Sequence, residues 1–275
     1  MFQLLASLLL VVLAATAQAN EEARARAVID ALLDWNIPLA EQRLSAWEAS
    51  GDSEAHTLAL YRAVIVVAHA DYMPSRDAAK YDRPLAKLAA AIVQSERYLV
   101  DHPDDFSARL ARATAQAISG RLLMEQGHWL KAWQAGKASR NVIRALLQER
   151  PDFADGYLIM GMFEYFTATV PGVLRWLVAL MDFSGDRALG IDYLERSVAA
   201  ARVAAPQAAD ALLLEVKYAD AEACRYVPLG RLMTKTYPRN PRYVGALRRL
   251  RAQCDRADPE RRLKPGRFVL ATPGH

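Results

Sequence analysis

The sequence predicts an all-α protein built from antiparallel helical hairpins, and three observations carry that prediction. Ala, Leu, Arg and Glu dominate the composition, and all four keep most of their side-chain freedom in a helix. No sustained alternation of apolar and polar residues marks a half-buried strand. Gly, Pro and Asp gather in short clusters, "MPSRD", "DHPDD", "EQGHW", "ERPDF", "TVPG", "FSGDR" and "YPRNP", which punctuate the chain at helix-sized intervals.

The first element, residues 1–19, reads as a cleavable secretory signal. Leu4 to Ala15 is an apolar run of the right length, and Ala17-Gln18-Ala19 is a small-x-small cleavage site. This n-region has no Lys or Arg, so its positive charge is the amino terminus alone. The expected mature chain starts near Asn20, and no lipoprotein Cys follows the cleavage site. The expected location is therefore the periplasm, in soluble form. About 255 residues remain, enough for one elongated domain or two compact ones.

Residues 20–102 are expected to form an N-terminal helical cap region on one continuous superhelix, with helices expected over 53–73 and 83–102; the next covers 104–126. Several breaks double as helix starts. Asp104 and Asp152 each follow a proline and offer a carboxylate to first-turn amides, while Asn240-Pro241 places a capping side chain before a proline at the first helical position.

The prolines expose a repeat over residues 103–256. In "DHPDDFSARLARA", "ERPDFADGYLIMG", "AAPQAADALLLEV" and "TYPRNPRYVGALR" an apolar helix ends, a proline follows, and a new helix opens. Pro103, Pro151, Pro206 and Pro238 stand 48, 55 and 32 residues apart. The last spacing is close to the roughly 34 residues of a tetratricopeptide hairpin. The first exceeds it by an amount that two added turns on each helix absorb.

On these residues the region resembles a divergent tetratricopeptide-repeat array. Gly127, Trp129 and Ala132 in "GHWLKAW", Pro151 at the closing position, Tyr157 and Gly161, and Gly190 in "SGDRALGIDYLERSV" sit as the family's aromatic, small and proline positions do. Glu164 departs from the pattern by standing where an aromatic is usual, and extra residues separate Gly161 from Gly185. The resemblance implies a right-handed superhelix of stacked antiparallel hairpins, an α-solenoid whose units pack only on their neighbours.

The apolar stretch from Gly156 to Asp186 is the least typical part. As a single membrane span it fails, because Glu164 and Arg175 fall inside and Pro171-Gly172 interrupts the helix. It reads instead as a helix over about 154–168 and an amphipathic insert near 170–184, with Val173, Leu177, Leu180 and Met181 on one face. Glu164 lies among Tyr157, Gly161 and Ala168, so its carboxylate must be paired, hydrogen-bonded or raised in pKa. Either it pairs with Arg175 across the Pro-Gly turn or it faces a ligand. Trp129, Trp133, Tyr157, Glu164, Tyr165, Arg175 and Trp176 are accordingly the candidate partner or ligand groove, although aromatics at helical spacing also suit an ordinary core.

The two cysteines, Cys224 and Cys254, form either a disulfide or two buried thiols in neighbouring helices. No zinc or thiol-redox spacing occurs, the five histidines include no i,i+3 or i,i+4 pair, and no nucleophile elbow or phosphate loop is present. The chain is thus expected to be non-enzymatic, with no catalytic, cofactor-binding or metal-binding residues. Its net charge of +4, on an exported chain, suits anionic envelope surfaces better than nucleic acid. Residues 257–275 are expected to be an extended tail, with Phe268-Val269-Leu270 able to dock back.

The expected function is a periplasmic scaffold that presents a concave face to a protein or peptide partner. Two alternatives stand beside it. One is a small-molecule-binding protein similar to the tetratricopeptide-like T component of TRAP transporters. The other is peripheral attachment to the envelope through the Val173–Phe183 helix and the basic C-terminal segment. The sequence leaves partner, ligand and oligomeric state open.

Overall fold

The computed structural model describes residues 2–169, 185–257 and 259–271. The described residues are helical with no strand. The helices are α1 (Phe2–Leu33), α2 (Ile37–Ala49), α3 (Ala55–Tyr72), α4 (Asp82–Asp101), α5 (Phe106–Glu125) and α6 (Trp129–Glu149). They continue with α7 (Gly156–Ala168), α8 (Arg187–Ala200), α9 (Ala205–Leu214), α10 (Asp220–Thr236) and α11 (Pro241–Arg256). Short 3₁₀ turns at Ala78–Tyr81 and Pro259–Arg261 precede α4 and follow α11. The expected insert near 170–184, with Arg175 and Trp176, lies outside the described residues. Among the described residues no helix is long and apolar enough to cross a membrane.

The breaks fall where Gly, Pro and Asp gather, but the caps differ in detail. At α5 the capping side chain is Asp105 rather than Asp104, accepting from the Ala108 amide at 2.7 Å. Helix α7 opens four residues after Asp152, which caps nothing there. Its neighbour Asp155 instead reaches across the chain, where its carboxylate accepts from the amides of Arg202, Val203 and Ala204 at 3.1, 2.8 and 2.6 Å. Those amides form the approach to α9, so a carboxylate near one helix start satisfies the orphan donors of another. Asn240 accepts from the Arg242 amide at 3.0 Å with Pro241 at the first position, and Asp186 accepts from the Ala188 and Leu189 amides. Gly127 ends α5 in the left-handed region at φ +76. The His128 amide donates back to the Leu123 carbonyl at 2.8 Å, a close that glycine makes without strain.

Packing runs mainly between chain neighbours. Helix pairs α1/α2, α3/α4, α4/α5, α5/α6, α7/α8 and α10/α11 meet extensively, and the core is divided among them. Val28, Ile29, Leu32, Leu44 and Trp47 fill the α1–α3 cluster. Leu60, Val67, Leu88 and Leu122 fill the α3–α5 cluster. Ile143, Leu146 and Met160 sit between α6 and α7, while Leu194, Leu212, Leu229, Met233, Tyr243 and Leu250 form the large C-terminal cluster.

The N-terminal helix reaches residues far along the chain. Arg26 of α1, only 7% exposed, donates to Asp30, to the Arg202 carbonyl at 3.1 Å and to the Ala271 carbonyl at 2.8 Å. Tyr237 donates to Asp30 at 2.6 Å, and Asn240 donates to the Leu33 carbonyl at 2.8 Å. Arg239 binds Asp34 through its amide and its guanidinium. The last carbonyls of α1 lack intrahelical donors, and Tyr72 and Asn240 satisfy those of Leu32 and Leu33. Helix α1 therefore joins the first part of the chain to the last. It also runs unbroken through Ala19-Asn20, and from Gln18 onward its first buried position is Ala25.

Cys224 of α10 and Cys254 of α11 are bonded, with their Cα atoms 4.7 Å apart. The tail docks back. Phe268 stacks on Tyr226 at 5.7 Å, the Gly266 amide donates to the Arg225 carbonyl, and the Ala271 amide donates to the Val198 carbonyl.

Candidate functional site

The candidate site begins at the α7/α8 crossing, where two glycines let the backbones touch. A Cβ on Gly161 would lie 2.8 Å from the Gly190 carbonyl oxygen, and one on Gly190 would lie 2.7 Å from the Tyr165 amide nitrogen. Any side chain at either position forces the helices apart. This approach seats Glu164, one turn beyond Gly161, in the interior at 5% exposure.

The Glu164 carboxylate bridges three elements. Oε1 accepts from Arg140 of α6 at 2.9 Å, and Oε2 accepts from the Asp186 amide at the start of α8 at 3.3 Å. The partner expected from the sequence was Arg175. Arg175 lies outside the described residues, and among those described Arg140 supplies the cation, brought there because α6 packs against α7. The Arg140 guanidinium also lies over the Phe163 ring at 5.0 Å, and Trp133 meets the same ring at 6.1 Å. A buried carboxylate with a cation on one oxygen and an amide on the other has a partner for each oxygen.

The other candidate residues are dispersed. Tyr157 stacks on Tyr193 of α8 at 5.3 Å. Tyr165 is buried, and its hydroxyl accepts from the Lys217 amide at 2.8 Å. Trp129 is 45% exposed beside Leu130 at 58%, both in the first turn of α6. Arg175 and Trp176 lie outside the described residues. Thus Trp133 and Glu164 share the α6/α7 junction, Tyr157 and Tyr165 serve α7 packing, and Trp129 faces outward.

A second polar assembly, absent from the sequence reading, couples α3–α5 to α9–α11. On one side Asp71 of α3 accepts from both terminal nitrogens of Arg121 at 3.3 and 2.7 Å, and from the Tyr81 hydroxyl at 3.1 Å. On the other, Asp210 of α9 accepts from the Tyr243 hydroxyl of α11 at 2.8 Å, and Arg242 lies 3.9 Å from Glu215. The sides sense each other electrostatically: Asp210 feels Arg121, and Tyr72 feels Asp210, Arg242 and Asp71. Burial pushes the Asp210 carboxyl up to about 6, against the opposing pull of Arg242 and of the Tyr243 hydroxyl. Burial, reinforced by Asp71, pushes the Tyr81 hydroxyl up to about 12. Three buried atoms, Nε of Arg112 and Oε1 of Gln116 on α5 and Oε1 of Gln207 on α9, have no hydrogen-bond partner among the described residues. One signal pointed here: Asp210 is the sole acid of an otherwise apolar helix, with Gln207 one turn before it.

A groove of about 310 Å³ opens between α8 and the docked tail, lined by Asp192, Glu195, Arg196, Arg225 and Phe268. Its charges are largely engaged with one another, Arg225 with Glu195 at 2.6 Å and Arg196 with Asp192 at 2.8 Å. Comparison of the chain with protein-family models, with curated proteins and with solved structures finds no match.

Proposed function

We propose that this chain is a non-enzymatic periplasmic scaffold of the tetratricopeptide type, exported through residues 1–19, that holds a protein or peptide partner. In this reading its hairpins stack as a right-handed superhelix, curved tightly enough to bring α1 against α9 and the α10–α11 link. The observation that carries the reading is packing between helices successive in the chain, with a glycine-to-glycine crossing at Gly161 and Gly190. Such an array exposes long helix faces on which a partner can lie.

The partner surface is the outer end of α6, where Trp129 and Leu130 stand exposed beside Trp133 and Phe163. Adjacent large apolar side chains of this kind are the usual anchors of protein recognition. The test is site-specific photo-crosslinking from position 130 in cells. A discrete adduct that disappears when Trp129→Ala is added supports the proposal. Labelling unchanged by that substitution would refute it.

Buried atoms of Arg112, Gln116 and Gln207 that lack a hydrogen-bond partner among the described residues favour a second reading, in which a small polar ligand is held as in a transporter-associated binding protein. Native mass spectrometry of the purified chain decides it. A bound mass lost in Gln116→Leu supports this reading, and a bare polypeptide mass removes it.

A further inference from the structure

The charge of this protein is unevenly placed. Its net charge is +4, yet residues 223–254 hold eight Arg and Lys side chains and no Asp or Glu, leaving the rest of the chain net acidic. The Cys224–Cys254 bond closes this segment into the α10–α11 hairpin. Three of its cations are engaged by acids from elsewhere: Arg225 by Glu195, Arg239 by Asp34 and Arg242 by Glu215. The other five, Arg231, Lys235, Arg248, Arg249 and Arg251, are exposed and have no ion-pair partner among the described residues.

The helical spacing orders them. Val244, Arg248 and Arg251 recur at i, i+4 and i+7 along one stripe of α11, while Tyr243, Ala246 and Leu250 point into the core. Arg231 and Lys235 are one turn apart on α10. Val244, at 44%, is the one large apolar side chain of the hairpin that stands well exposed.

We infer that this hairpin is an electrostatic docking face for an anionic phospholipid bilayer. A surface rich in unpaired arginine and poor in apolar groups lacks the desolvated core that a stable protein interface needs. It meets the requirements of a headgroup plane, where guanidinium groups bind phosphate oxygens in pairs and the attraction is distributed over many cations. The inference is independent of the partner surface on α6, which lies on a different helix.

The experiment is flotation of the full chain, oxidised and freed of residues 1–19, with vesicles of phosphatidylglycerol mixed with phosphatidylcholine, against phosphatidylcholine alone. Binding to the anionic vesicles only, lost on raising the salt, is the expected result. Arg248→Gln with Arg251→Gln should weaken it roughly 25-fold, about fivefold for each near-surface cation removed. Arg83→Gln with Arg97→Gln on the exposed face of α4 changes net charge equally and should leave binding near the parent value. Circular dichroism melts confirm that both variants are folded.

Equal losses in the two variants would reduce the effect to net charge and overturn the assignment. Binding to neutral vesicles would overturn it in favour of apolar insertion. Failure to float with anionic vesicles, together with binding to polyglutamate or to a DNA duplex, would overturn it in favour of a different polyanion.

Discussion

Replacing Asp210 by asparagine should stabilise the protein at alkaline pH and leave it unchanged in acid. The carboxyl is pushed from an ordinary 3.8 up to about 6 by burial, with Arg242 and the Tyr243 hydroxyl opposing the shift. The sign follows from that direction. A carboxyl whose folded-state pKa is raised favours the folded state while protonated, so its contribution is complete below about pH 4. That contribution fades as pH rises through 6. Each unit corresponds to about 1.4 kcal/mol, which sets a ceiling of about 3 kcal/mol. Solvent still reaches part of the Asp210 side chain, so about 1–2 kcal/mol is the working figure. Asparagine keeps an oxygen to accept from Tyr243 and carries no charge to desolvate.

The assay is thermal unfolding of the parent and of Asp210→Asn at pH 4 and pH 8. A gain of roughly 2–8 °C at pH 8 with none at pH 4 is expected for a chain of this size. A variant less stable than its parent at pH 8 would refute the reasoning. That outcome would mean that Arg242 and Arg121 hold Asp210 as a net favourable anion, so that its charge supports the joint instead of straining it.

Three further outcomes follow from the same geometry. Gly161→Ala sets a methyl 2.8 Å from the Gly190 carbonyl oxygen, and urea unfolding should show a loss of about 1–3 kcal/mol as α7 and α8 separate. Glu164→Gln removes the charge from the buried end of the Arg140–Glu164 pair, which should cost about 2 kcal/mol in the same measurement. Reduction of Cys224–Cys254 frees a segment with a sequence separation of 30. Calorimetry with and without dithiothreitol should register a loss of about 3–4 kcal/mol, concentrated in the C-terminal cluster.

Much of the local structure was legible because it depends on short-range chemistry. Helices expected over 53–73, 83–102 and 104–126 occur as Ala55–Tyr72, Asp82–Asp101 and Phe106–Glu125. Proline, glycine and aspartate act within one turn of where they stand. The long Pro103–Pro151 interval is likewise accounted for by α5 and α6 at 20 and 21 residues. The errors lie where a side chain chooses among partners distant in sequence. Glu164 needed a cation, as its apolar setting required, and among the described residues that cation is Arg140, on a different helix. Asp155 was overlooked because the amides it satisfies are 47 to 49 residues away.

The sequence by itself determined that the chain is helical, where most helices start and stop, and that one acid in an apolar stretch had to be compensated. These follow from backbone freedom and from the cost of burying charge, both readable from neighbouring residues. Only the tertiary structure decided that α1 closes onto the C-terminal hairpin through Arg26, Asp30 and Asn240. It alone set Asp71 and Arg121 opposite Asp210 and Arg242. The reason is physical: a periodic apolar stripe specifies that a face must be covered, but many helices carry equivalent stripes. Which one covers it depends on the packing of the whole chain at once.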